Sequence, residues 1–134
     1  MTDCARVGIV LVSHSASLAV GTAELAGQVG GGAVSIVPAG GTDDGRLGTS
    51  IEKVRDALAA ADSGAGVVIL PDLGSSVLTV RALLSEADDL PEPLAVADAP
   101  FVEGAVAATI AAAVGADVKA VAAAAEEARN ARKL

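Results

Sequence analysis

Four short runs without charge punctuate the chain: Val7 to Val12, Ala33 to Val37, Val67 to Leu70 and Leu94 to Ala97. Each is too short for a helix, rich in Val, Ile or Ala and followed by Pro, Gly, Ser or Asp, and reads as a strand; Val7 to Val12 has the pattern of a strand buried on both faces of a parallel sheet. Between them the apolar period changes to that of a helix. Leu18, Leu25 and Val29 define a first helix with Ser17 as its expected N-cap, stopped by Gly30, Gly31 and Gly32. Pro38 to Gly45 holds too few apolar residues for anything but a loop. Thr49 and Glu52 have the spacing of a capping box, ahead of a helical face of Ile51, Val54, Leu58 and Ala61. A third helix carries Val77, Val80, Leu83 and Leu84 and closes before Pro91; a fourth opens at Pro100 and ends at Gly115. Asp117 is placed to cap a last, Ala-rich helix reaching about Arg129.

Strands that alternate with helices predict an α/β fold, a parallel sheet with helices on both faces in three layers. For four strands the flavodoxin-like order 2-1-3-4 is expected, with the first and third strands side by side at the topological switch point. The turn Ser13-His14-Ser15-Ala16-Ser17 and the turn Asp72-Leu73-Gly74-Ser75-Ser76 would then meet across one crevice. Residues 1–134 read as a single domain, without repeat or linker.

Composition narrows the partners. The net charge of −8 argues against nucleic acid and against an anionic membrane surface, and Phe101, the sole aromatic, offers no platform for stacked bases. Cys4 is the only cysteine, which rules out an internal disulfide and disfavours a thiolate zinc site; it is expected to be a small, semi-buried residue. The start of the chain lacks the pattern of a secretory signal, so a cytoplasmic location is expected.

His14, the only histidine, is the first candidate for chemistry, against the plainer possibility of a surface or structural imidazole. No second histidine joins it for a metal site, and neither Ser13 nor Ser15 lies in a G-x-S-x-G elbow. What remains is a histidine that carries a group on one nitrogen while the other is held by an acceptor, for which Asp72 is the candidate. A phosphoryl group there would lie near helix starts at Ser17 and Ser75, with Ser13, Ser15, Gly74, Ser75 and Ser76 as further donors. Asp43-Asp44 forms a structural turn or a partner-facing loop, and the pairs Asp88-Asp89 and Glu126-Glu127 are expected to face solvent.

The segment VGIVLVSHSASLAVGTAELA resembles the phosphotransferase subunits (DhaM) of the phosphoenolpyruvate-dependent dihydroxyacetone kinases, a family related to the mannose-type IIA (EIIA-man) domains of the sugar phosphotransferase system. The likeness continues through Pro38 to Asp44, Gly48-Thr49, Asp72 to Ser75, Ala99 to Gly104, Ala107 to Thr109 and Gly115 to Asp117. It implies a mannose-type EIIA fold, a homodimer, and a phosphotransferase subunit without a bound cofactor. His14 stands at the family's phosphorylated histidine and Asp72 at its acidic partner. The family histidine accepts a phosphoryl group from the carrier protein HPr and passes it to ADP held on DhaL, and the ATP so formed phosphorylates dihydroxyacetone on DhaK. Alternatives are an EIIA subunit of a mannose-type sugar importer and a regulatory module sensed by its phosphorylation state. In mannose-type relatives a C-terminal strand is exchanged between subunits, whereas Val118 to Ala131 reads here as helix.

Overall fold

The computed structural model describes residues 5–134, so the expectation for Cys4 lies outside the described residues. Its elements alternate as predicted: β1 (Gly8–Ser13), α1 (Ala16–Val29), β2 (Ile36–Gly40), α2 (Ile51–Ala61), β3 (Val67–Pro71), α3 (Gly74–Glu86), β4 (Leu94–Val96), α4 (Phe101–Ala113) and α5 (Val118–Glu127), followed by a 3₁₀ turn, Ala128–Asn130. The four strands form one sheet in the order β2-β1-β3-β4, and every pair is parallel. The expected strand order thus holds. Val10 of β1 pairs with Val37 of β2 on one side and Ile69 of β3 on the other, so β1 is flanked along its length.

Side chains leave β1 alternately toward two cores, as a pleated strand requires. Val7, Ile9 and Leu11 pack with Val68 and Leu70 against small residues of α1, α4 and α5, including Ala26, Ala105, Ala108, Ala112 and Ala125. Val10 and Val12 pack with Val67 and Ile69 against Val54, Leu58, Val80 and Leu83 of α2 and α3. The two central strands, β1 and β3, are therefore covered on both faces, whereas the edge strands β2 and β4 are only partly so, Val96 of β4 being exposed. Among the described residues, no helix is long and apolar enough to cross a membrane.

The second strand runs later than expected, over Ile36–Gly40 in place of Ala33 to Val37, and takes in Pro38 and Gly40. β2 lies at the sheet edge, where a residue without an N–H is tolerated. Gly40 is required by close approach: a Cβ there would stand 2.5 Å from the Ser15 carbonyl oxygen and 2.9 Å from the Ala16 Cα. Two caps also move. Ser15, and not Ser17, caps α1, its hydroxyl accepting from the Leu18 N–H at 3.2 Å. Ser50, and not Thr49, caps α2, its hydroxyl accepting from the Lys53 N–H at 3.2 Å. Asp117 caps α5 as expected. Asp88, Asp89 and Glu127 are exposed, but Glu126 is half-buried and accepts the Asp98 N–H at 3.1 Å, because the end of α5 folds back over the segment after β4.

Candidate functional site

Parallel strands all end on the same side of a sheet, so the turns after β1 and β3 emerge together. The Asp72 N–H donates to the Val12 carbonyl at 2.9 Å, which fixes the second turn against the first. At that junction His14 and Asp72, 58 positions apart, come within hydrogen-bond distance: His14 Nδ1 is 3.0 Å from Asp72 Oδ1. The His14 side chain is 26% exposed and that of Asp72 is 6% exposed, so an accessible imidazole stands on a covered carboxylate.

The carboxylate is saturated with donors. Its Oδ2 accepts the Ser13 hydroxyl at 2.8 Å and the His14 backbone N–H at 3.2 Å. Its Oδ1 accepts His14 Nδ1, the Ser76 hydroxyl at 2.7 Å and the Leu73 N–H at 2.6 Å. Burial raises the Asp72 pKa, but the hydrogen bonds from Ser76, Ser13, His14 and the Leu73 N–H outweigh it and hold the carboxyl down at about 2. An ionised carboxylate only accepts, so in the neutral imidazole the proton resides on Nδ1 and the lone pair on Nε2. That second nitrogen points away from Asp72 and meets the hydroxyl of Ser75.

The serines divide by role in the geometry. Ser13 and Ser76 are fully buried and give their single hydroxyl protons to Asp72; Ser13 Oγ also accepts the Ser15 N–H at 3.0 Å. Ser75 and Gly74 are exposed at the start of α3, where no side chain caps the helix. The N–H groups of Gly74, Ser75 and Ser76, in the first turn of α3, therefore lack intrahelical partners. Ser15 is used by its cap, and Ser17 is exposed on the first turn of α1 without a hydrogen bond to the His14–Asp72 pair.

The loop after β2, read from its sequence as a structural turn or partner-facing loop, also bonds to the main chain around His14. The Gly41 N–H donates to the Ser13 carbonyl at 3.2 Å and the Gly48 N–H to the His14 carbonyl at 2.9 Å. Inside the loop Asp44 accepts from the Thr42 hydroxyl and at 2.8 Å from Arg46 Nε, bonds that lower its pKa; Asp43 accepts the Ser50 hydroxyl at 2.6 Å. Leu47 in this loop, at 80%, and Leu73 in the turn after β3, at 64%, are exposed apolar side chains, as are Leu18 and Leu78. No cluster of three or more His, Cys, Asp or Glu suited to a metal ion occurs among the described residues.

The EIIA-man family model, described as the PTS system fructose IIA component, matches residues 8–122. The phosphoryl donor subunit DhaM of PEP-dependent dihydroxyacetone kinase 2 from Listeria innocua is 38% identical over 105 residues, covering 78% of this chain and 84% of that protein. The phosphoryl donor subunit DhaM of the Escherichia coli K12 PEP-dependent dihydroxyacetone kinase is 36% identical over 116 residues, 84% of this chain but only 25% of its own length. Among solved structures, the crystal structure of EF1359, a protein of unknown function, matches with a TM-score of 0.77 and 35% identity, over 97% of this chain and 98% of the other.

Proposed function

The chain belongs to the EIIA-man family, and within it to the DhaM proteins, and on that premise we propose that it is a phosphohistidine carrier for a dihydroxyacetone kinase, with His14 Nε2 as the atom that bears the phosphoryl group. The observation that carries the proposal is the pairing of His14 Nδ1 with a saturated Asp72, which leaves Nε2 as a nucleophile at the mouth of the crevice. HPr is the proposed donor, and ADP held on DhaL, with DhaK downstream, the proposed acceptor. The protein acts in the cytoplasm as a homodimer and needs no bound cofactor.

In the loading step the donor's N–P bond breaks and its electron pair stays on the donor imidazole, while the Nε2 lone pair of His14 forms the new N–P bond. The charge gained by the His14 ring remains as an Nδ1–H facing Asp72. Ser75 must leave Nε2 to admit phosphorus, and its hydroxyl is then free to donate to a phosphoryl oxygen beside the N–H groups of Gly74 and Ser76. Ser13 and Ser76 hold the carboxylate in place. In the unloading step the Nε2–P bond breaks, its electron pair returns to the ring, and a β-phosphate oxygen of ADP bonds to phosphorus to give ATP.

The test is labelling from phosphoenolpyruvate through the two general phosphotransferase proteins, wild type beside His14→Ala. The expected result is an acid-labile, base-stable label on the wild type and none on the variant, with both equally folded. Label on His14→Ala removes the assignment. Because the matching model is described for a fructose IIA component, onward transfer separates acceptors: to DhaL-bound ADP for the kinase, to a IIB protein for a sugar importer.

A further inference from the structure

We propose that Thr49, which the sequence places at a helix cap, is a positioning residue for His14 that acts through Ser76; this rests on the phosphocarrier reading of His14. Ser50 occupies the cap of α2, so the Thr49 hydroxyl is not committed there. It lies 3.3 Å from Ser76 Oγ. Ser76 has one hydroxyl proton, and Asp72, being ionised, can only accept it, at 2.7 Å. Ser76 Oγ therefore faces Thr49 as an acceptor, and the proton of Thr49 points toward Ser76. The hydroxyls line up in one direction, Thr49 to Ser76 to Asp72 Oδ1, where His14 Nδ1–H arrives from the other side.

This order matters because Ser76 Oγ is also 3.2 Å from His14 Nδ1, a rival acceptor scarcely farther than the carboxylate at 3.0 Å. A hydroxyl free to rotate can exchange its roles: when it no longer donates to Asp72, it accepts from or donates to Nδ1 and loosens the ring and its tautomer. By donating to Ser76, Thr49 fixes the rotor and sends the Nδ1 proton to Asp72. Consecutive hydrogen bonds of this kind also polarise one another.

A second observation ties Thr49 to the same task. Its backbone pairs with Gly41 in an isolated parallel bridge, which closes the loop whose ends bond to the carbonyls of Ser13 and His14. The loop thus supports the histidine from the main-chain side and, at Thr49, from the side-chain side. The exposed Leu47 stands two positions before Thr49.

The experiment compares Thr49→Val and Thr49→Ser with wild type. His14 is the only imidazole, so its nitrogen-15 spectrum in the unphosphorylated protein is unambiguous. The expected wild-type spectrum is that of the Nδ1–H tautomer, and Thr49→Val is expected to show a tautomer mixture. Single-turnover transfer from phosphorylated HPr at saturating donor is expected to slow about 3- to 10-fold in Thr49→Val, the effect of one lost neutral hydrogen bond, with the half-saturating donor concentration unchanged. Thr49→Ser restores both readouts. A Thr49→Val spectrum identical to wild type, or a Thr49→Ser protein as impaired as Thr49→Val, overturns the inference. If wild type accepts no phosphoryl group from HPr, the phosphocarrier reading falls by itself, and the nitrogen spectra alone decide the positioning role.

Discussion

The turn after β1 and the turn after β3 leave neighbouring parallel strands and enter helices of similar length, yet they use their polar side chains in opposite ways. In the first, Ser15 spends its hydroxyl on the Leu18 N–H, so α1 begins with a conventional cap. In the second, the carboxylate stands one place before Leu73, the N-cap position of α3, and it is turned toward His14, Ser13 and Ser76. α3 is left without a side-chain cap. The Ser15 hydroxyl of the first turn serves its helix, whereas Asp72 of the second gives up that use to hold the imidazole and leaves the α3 N–H groups without a side-chain cap.

Asp72→Asn is expected to have the largest effect, because an amide cannot accept from all five of the donors that converge on Asp72. Phosphoryl transfer to His14 should fall about a hundredfold, the scale of a misaligned reacting group, in the labelling assay described above. An unaltered rate would mean that the second turn is merely structural and the contrast is void. The pH dependence of folding sharpens the same point. The Asp72 carboxyl falls from its ordinary value of 3.8 to about 2 in the folded protein, so its ionised form stabilises the fold above 3.8, and that contribution is lost as the pH drops through about 2. The gap in denaturation free energy between wild type and Asp72→Asn is therefore expected to close over that interval.

Smaller effects should separate the two turns. Ser15→Ala is expected to cost about 1 kcal/mol of stability in urea denaturation, as the loss of an N-cap does. Ser75→Ala should leave the urea midpoint nearly unchanged, since Ser75 is exposed and caps nothing, and slow transfer about 3- to 10-fold through the lost hydrogen bond. The reverse pattern would exchange the roles assigned to the two turns.

The sheet order was legible because β1 and β3 are charge-free runs that end in polar turns, a signal that depends on no distant contact. β2 is shifted relative to its sequence pattern because Pro38 and Gly40 look like loop residues until the strand is known to be an edge pressed against the backbone of Ser15 and Ala16. The caps shifted for a related reason. Ser13, Ser15 and Ser17, like Thr49 and Ser50, offer near-equivalent hydroxyls in sequence, and only the three-dimensional neighbours decide which one meets a helix N–H and which meets Asp72 or Ser76. The closeness of His14 and Asp72 followed from topology; the direction of each hydroxyl did not.

The span between those two residues has a consequence for the newborn chain. His14 leaves the ribosome long before the aspartate 58 positions behind it, and the first strand must wait for the third before its histidine has a carboxylate to lean on. Until Ser76 has emerged and β3 has docked, a nascent chain carries His14 without the Asp72 and Ser76 partners that orient its ring.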